Sequence, residues 1–326
     1  MAAPRQLDFL QDRSPHPLER LKLRLARWTE RGVYIGASSW KYEGWLGQVY
    51  TRERYFVRGK LSRKQFEQHC LEEYAEIFPT VCGDFSFYQF YSDAYWDRLF
   101  AQTPPAFQFG FKAPEVITVP SFPDHERYGG NRGKPNPSFL NADLLRREFL
   151  DRLSPHRRQV GYIVFQFPQL AQSTRGNDGE AFLDRLDRFL GALPDTFRFA
   201  IEVRNEQLLG ERYFERLRRH RVGHVFNSWT RMPRIGRQLE LPGAVPSDIV
   251  VCRALLRPGR AYEQAVQMFQ PYDRIKDPYP QGYRDVATVV RTATAQARRR
   301  VYVAVNNRFV GNSPNAIEEI LNELDA

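Results

Sequence analysis

The stretch FRFAIEVRNEQLL, Phe197–Leu209, reads as a strand whose apolar run is broken by Glu202 and Arg204. Side chains of a strand alternate between two faces, so Phe199, Ile201 and Val203 share one face while Ala200, Glu202 and Arg204 share the other. An unpaired charge buried on such a strand is heavily destabilising, so the charged face needs partners, water or a ligand. The combination predicts a strand packed under helices on one side and ending in a polar site on the other.

Seven further runs have the same character: VYIGASS (33–39), TVCGDFS (80–86), FQFGFK (107–112), VGYIVFQ (160–166), VGHVFN (222–227), DIVVCRA (248–254) and RVYVAVN (300–306). Helical patterns lie between them, clearest at SRKQFEQHCLEEYAEIF, DAYWDRLFAQT, NADLLRREFLDRL, EAFLDRLDRFLGAL and GERYFERLRRHR. Apolar residues recur there at spacings of three and four, as in Phe182, Leu186, Phe189 and Leu190. Strand and helix alternating over most of the chain predicts a parallel sheet with helical crossovers. Eight units are what a closed (β/α)8 barrel of the TIM type needs, and the first strand is not followed by the G-x-G-x-x-G of a dinucleotide-binding sheet. The expected organisation is one α/β barrel over residues 33–326, preceded by an arm and amphipathic helix in residues 1–32. Leu18, Leu21, Leu25 and Trp28 form the apolar face of that extra helix. Long connections follow strands three and seven, at 119–139 and at 255–284, on the face where barrels carry their active sites.

The phase of each strand then locates a site. In FQFGFK the phenylalanines share the outer face and Gln108, Gly110 and Lys112 point inward; in VGYIVFQF the inward set is Tyr162, Val164 and Gln166. In RVYVAVNN it is Tyr302, Ala304 and Asn306. The last inward residue is therefore polar on strand after strand: Lys112, Gln166, Arg204 and Asn306, with Asp84 and Arg253 placed likewise on less regular strands. Trp40, Tyr88, Asn227, Trp229 and Asn307 lie on the loops that would line the mouth.

Composition sets broader limits. The chain has 326 residues, 42% hydrophobic and 14% aromatic, as a folded globular protein does. No apolar run approaches the length of a membrane span, and the start MAAPRQLDFLQDRSPHP lacks a signal-peptide core, so a cytoplasmic protein with no membrane partner is expected. Cys70, Cys82 and Cys252 are too scattered for a disulfide framework or zinc cluster and read as buried small residues. The formal charge of +10 favours anionic partners. Its densest arginine runs, ERLRRHR (215–221) and QARRR (296–300), read as solvated basic faces, with a nucleic-acid or acidic-surface footprint as the alternative.

Several of these blocks, YIGASSWKYEGW, FGFKAPEVIT, VGYIVFQFP, FAIEVRN and VYVAVNNRFVGNSPNAI, together resemble the domain-of-unknown-function 72 family, often called YecE-like. The resemblance runs in order from about Val33 to Leu324. It implies a TIM barrel, implies no defined activity, and places the family's recurring polar residues on Trp40, Lys112, Gln166, Glu202, Arg204 and Asn307. The chain departs from the family pattern at three places. The second strand reads VCGDFSFY where relatives commonly have an acid and an amide at Cys82 and Asp84, Asn205 replaces a common histidine, and RALLRPGR stands where R-L-H-G is frequent.

The inward set joins two carboxylates, Glu202 and Asp84, to the cations Lys112, Arg204 and Arg253, with Arg257, Arg260 and Arg308 on adjoining loops. A cationic cleft of this kind favours a small anionic ligand bearing phosphate or carboxylate, which arginine grips bidentately. If the protein is an enzyme, the expected chemistry is a metal-independent acid–base hydrolysis, lysis or isomerisation. Glu202, Lys112 and Asp84 would be catalytic, and Trp40, Tyr88, Gln166, Arg204, Asn227, Arg253, Asn306 and Asn307 would bind the ligand. A Schiff base at Lys112 is the lesser enzyme reading. No histidine ends a strand beside another ligand, so neither metal nor cofactor is expected. The alternative class is a nucleic-acid-binding or nucleic-acid-processing barrel using basic, aromatic-lined loops. A ligand sensor is a third reading. Substrate, reaction and oligomeric state are not legible in the chain.

Overall fold

The computed structural model describes residues 17–170, 178–296 and 298–326. The N-terminal arm expected before Pro17, with His16, lies outside the described residues.

All eight sequence runs form strands: β1 Val33–Ala37, β2 Thr80–Gly83, β3 Gln108–Lys112, β4 Val160–Gln166, β5 Phe199–Glu202, β6 Gly223–Ser228, β7 Ile249–Ala254 and β8 Arg300–Val305. Each pairs in parallel with its sequence neighbours, and β1 closes the ring between β8 and β2. The register sets ligand candidates side by side: Gln166 opposite Glu202, and Asn227 opposite Arg253.

The alternation read from sequence separates two apolar layers. Phe109, Phe111, Ile163, Phe165, Ile201 and Val303 face outward into the shell of helices. Trp96, from the helix Asp93–Phe100, meets the Phe111 ring edge-on at 5.1 Å between centroids. Tyr162, Val164, Ala200, Val225, Val251 and Tyr302 fill the barrel itself. Gly110 is required there: a Cβ on it would sit 2.2 Å from Cζ of Tyr162, so only glycine lets that ring cross the interior. The middle of the barrel is thus a mainly apolar plug, and the charged groups lie at the carboxyl ends of the strands.

The N-terminal helix, Pro17–Glu30, buries Leu21, Leu25 and Trp28. It packs beside β1 and the helix Arg63–Ile77, and Arg24 and Trp28 bond Asp325 of the last helix at 2.8 and 3.1 Å. A two-stranded hairpin, Phe56–Val57 with Lys60–Leu61, is an element that alternation over so few residues does not disclose. The connection after β7 is less loop-like than its Pro-Gly content suggested, since it contains the helix Tyr262–Phe269 and the helix Pro280–Thr294 begins before Arg284. The three cysteines are free and buried. Among the described residues no helix is long and apolar enough to cross a membrane.

Candidate functional site

At the carboxyl ends of β2, β3, β4, β5 and β7 the inward polar side chains form one connected network. Lys112 Nζ lies 3.0 Å from Asp84 Oδ1. Arg253 donates through Nη1 to Glu202 Oε2 and, at 3.2 Å, to Gln166 Oε1, and through Nη2 to Asp84 Oδ1 at 3.3 Å. Arg204 reaches Glu202 Oε1 with Nε and Nη2, each at 3.4 Å, and lays its guanidinium over the Trp229 ring at 3.7 Å. Asp84 and Arg253, on the less regular strands, therefore join the inward row with Lys112, Gln166, Glu202 and Arg204.

Accessibility divides the network. Glu202 is 0% exposed and Arg253 1%, so they form a sealed ion pair beneath the mouth. Asp84 keeps 32% of its side-chain surface exposed, Arg204 16% and Lys112 9%. Arg204 Nη1 has no hydrogen-bond partner among the described residues. Three cations stand against two carboxylates, leaving one surplus positive charge.

The protonation states follow from burial and charge together. Burial pushes the Glu202 carboxyl up, but Arg253, Arg204 and Lys112 outweigh it and hold the group below the usual glutamate range. Asp84 shows the same balance, with Lys112 and Arg253 overcoming burial. Burial draws the Lys112 ammonium below the ordinary lysine value; Asp84 opposes this and Arg253 adds to it. Both carboxylates are thus ionised, and burial draws the Arg204 guanidinium, like the Lys112 ammonium, below its ordinary value.

The remaining predicted residues surround this centre in different roles. Asn227 is fully buried; its Nδ2 donates to Val203 O at 3.1 Å and Val225 O at 3.4 Å, which leaves Oδ1 as an acceptor without a partner. Asn307 accepts from Ser313 N and Oγ at 2.7 and 2.9 Å, and its Nδ2 is a buried donor without a partner. Asn306 bonds Ser38 Oγ at 2.6 Å and accepts from Arg308 N at 2.9 Å, so it shapes the loop after β8. Trp40 is buried edge-on to Phe85. Tyr88 stands on the rim, 59% exposed, with Arg127 over its ring at 5.0 Å.

Some participants were not singled out from sequence. Ser86 fixes Lys112 by donating to its carbonyl at 2.7 Å, and Gln238 fixes Asn227 from both sides, accepting from its N–H at 3.3 Å and donating to its carbonyl at 2.6 Å. Arg127 and Tyr128, from the loop after β3, meet Glu115 at 2.7 Å each. Tyr262 carries Arg308 over its ring at 4.6 Å. Only a local turn rule could have flagged Ser86; the others come from loops whose paths alternation does not fix. Arg257 and Arg260 both pair with Asp277, closing the long β7 connection on itself. Among the described residues no group of three or more His, Cys, Asp and Glu side chains is placed to hold a metal ion.

Comparison with known proteins agrees with this architecture. The chain is 27% identical over 179 residues to the UPF0759 protein YecE of Escherichia coli K12 and, equally, to that of Escherichia coli O157:H7. The match takes in 55% of this chain and 51% of each YecE, so the chain spans about half the length of the curated relatives it matches. A DUF72 family protein of Thermotoga maritima MSB8 superposes over 90% of this chain and 98% of its own with a TM-score of 0.58 at 18% identity. Another from Enterococcus faecalis V583 superposes over 90% and 96% with a TM-score of 0.60 at 16% identity. These two structures share the fold. The profile described as "Protein of unknown function DUF72" matches residues 34–326, and the chain belongs to that family.

Proposed function

We propose that the mouth of the barrel binds a small anion bearing phosphate or carboxylate, seated between Lys112 and Arg204. The observation that carries this reading is the surplus positive charge in a mostly buried network whose cations outnumber its carboxylates. Such a charge is unfavourable without a counter-ion, and a bound anion supplies one. Arg204 is held flat by Trp229 and turned by Glu202, which leaves Nη1 for the anion. The unpartnered Asn307 Nδ2 and Asn227 Oδ1 would add a donor and an acceptor.

Proton transfer, if the ligand is turned over, belongs to Lys112 and Asp84 more than to Glu202. Both oxygens of Glu202 face arginines and none of its surface is exposed, so its role is to position Arg204 and Arg253. Lys112, with its proton loosened by burial, is the donor or base, and Asp84 orients it.

Isothermal titration at pH 7 with inorganic phosphate and with a short hydroxycarboxylate tests the reading. Wild type should bind at least one of them, and Lys112→Met and Arg204→Gln should each weaken it tenfold or more. Arg257→Gln, which breaks only a loop pair with Asp277, should not. Equal affinity in all four proteins would refute the site.

A further inference from the structure

In a barrel every helix-to-strand turn emerges at the base, opposite the mouth. Here those turns bring together arginines that are scattered in sequence. Arg157 and Arg158 precede β4, Arg198 precedes β5 and Arg221 precedes β6. Arg298 and Arg299 precede β8, and Arg31 precedes β1. The same eight turns contain no lysine and three acids, Asp195, Glu240 and Asp248. Two acids are ion-paired, Asp195 with Arg221 at 3.1 Å and Glu240 with Arg237, and the third, Asp248, attracts Arg299 and Arg300. Arg157, Arg158, Arg198 and Arg298 are exposed and make no ion pair among the described residues. Only the ends of the two basic runs read from sequence reach this face, Arg221 of ERLRRHR and Arg298 and Arg299 of QARRR; Arg216 and Arg219 lie on the helix Glu211–Arg219 and pair with Asp184 and Asp187.

That surface is grooved. A cavity of 510 Å³ between the turns before β5, β6 and β7 has Arg198, Arg219 and Arg221 in its wall together with Asp195 and Asp248; Arg219 is paired with Asp187 at 3.0 Å. A second, of 390 Å³, is walled by His156, Arg157 and Arg158 before β4. Along the arc of neighbouring strands β1, β8, β7, β6, β5 and β4, five of the six turns bear arginine; the turn before β7 bears none and carries Glu240 and Asp248. At a strand spacing of about 4.8 Å the arc is roughly 24 Å long, the rise of about seven phosphates along one nucleic-acid strand.

We propose that the base of the barrel binds the sugar-phosphate backbone of nucleic acid through this arginine arc. The choice of arginine over lysine suits bidentate phosphate contact. A membrane surface fits less well, because the exposed large apolar residues among those described, Leu23, Val57, Tyr88, Tyr262 and Met268, all lie outside the basal turns. The loop arginines at the mouth are weaker candidates for this partner, since Arg127, Arg257 and Arg260 are already paired with Glu115 and Asp277. The inference is independent of the anion site at the mouth.

The test is fluorescence anisotropy of a labelled 20-nucleotide single strand, titrated with the full-length protein from 50 to 200 mM salt. The quadruple variant Arg157→Gln, Arg158→Gln, Arg198→Gln, Arg298→Gln should lose at least tenfold in affinity at 50 mM salt. Its plot of log affinity against log salt should flatten by about 3, at about 0.7 for each phosphate no longer neutralised. A control variant, Lys22→Gln, Arg58→Gln, Lys60→Gln, Lys64→Gln, removes equal charge from another face and should bind as wild type does. Circular dichroism and the unfolding midpoint confirm that both variants are folded. Equal losses in the two variants, no loss in the basal one, or binding to phosphatidylserine vesicles without binding to the oligonucleotide would overturn the proposal.

Discussion

Replacing Arg253 with methionine strikes the sealed part of the site. The guanidinium is 1% exposed and serves Glu202, Gln166 and Asp84 at once. Methionine keeps much of the volume and none of the donors. Glu202, with no exposed surface, would retain only the two 3.4 Å contacts from Arg204, while Asp84 would keep Lys112 at 3.0 Å. Removing one partner of a buried pair costs about 3–5 kcal/mol, because the other charge is left unpaired. With an unfolding entropy of about 2.1 cal/mol/K per residue, the 326-residue chain should lose about 4–7 °C in midpoint. Thermal unfolding followed by circular dichroism reads this directly. Adding Glu202→Gln to Arg253→Met removes the stranded charge, so the double variant should be more stable than Arg253→Met alone and recover at least half the loss. A single variant within 1 °C of wild type, or a double variant as unstable as the sum of the singles, would refute the reasoning.

Two other perturbations probe the barrel itself. His224 faces outward on β6, 1% exposed and 3.2 Å from the Tyr213 hydroxyl, and burial pushes its pKa down from 6.5 to about 4. The unfolded chain binds that proton near pH 6.5 and the folded one only near 4, so the contribution is present above 6.5 and is lost as pH falls through that window, by about 3 kcal/mol. His224→Gln should flatten the stability profile between pH 6.5 and 4; an unchanged slope would exclude His224 as its source. The depressed pKa values of Asp84 and Glu202 act lower, since their contribution is complete above the unfolded carboxylate range and is lost as pH falls through the folded values. Gly110→Ala places a methyl against the Tyr162 ring, which packs on Tyr302 at 4.8 Å between centroids. Overpacking of about 1–3 kcal/mol should lower the midpoint by about 2–4 °C, and an unchanged midpoint would show that the plug yields more readily than its packing implies.

The eight strands and their inward and outward faces were legible in sequence because burial on both sides of a barrel strand still obeys a period of two. Lys112, Gln166, Glu202 and Arg204 could therefore be placed by alternation alone. What alternation cannot show is which donors are already engaged. Arg253 reads as a ligand contact by its position, yet its Nη atoms serve Glu202, Gln166 and Asp84. Arg257 and Arg260 read as mouth cations, yet both turn to Asp277. Such pairings depend on loop paths, and loops carry no period. The basal arginines were hidden for another reason: each run looks like an ordinary solvated helix end until the barrel closes and brings the turns together.

An anion held between Lys112 and Arg204 can be located by soaking crystals in tungstate and mapping the metal from its anomalous signal. An anion in this seat gives a peak at the mouth with oxygens in hydrogen-bond reach of Lys112 Nζ and Arg204 Nη1, whatever else binds at the base. Peaks confined to other faces, with the mouth unoccupied at saturating tungstate, would contradict it.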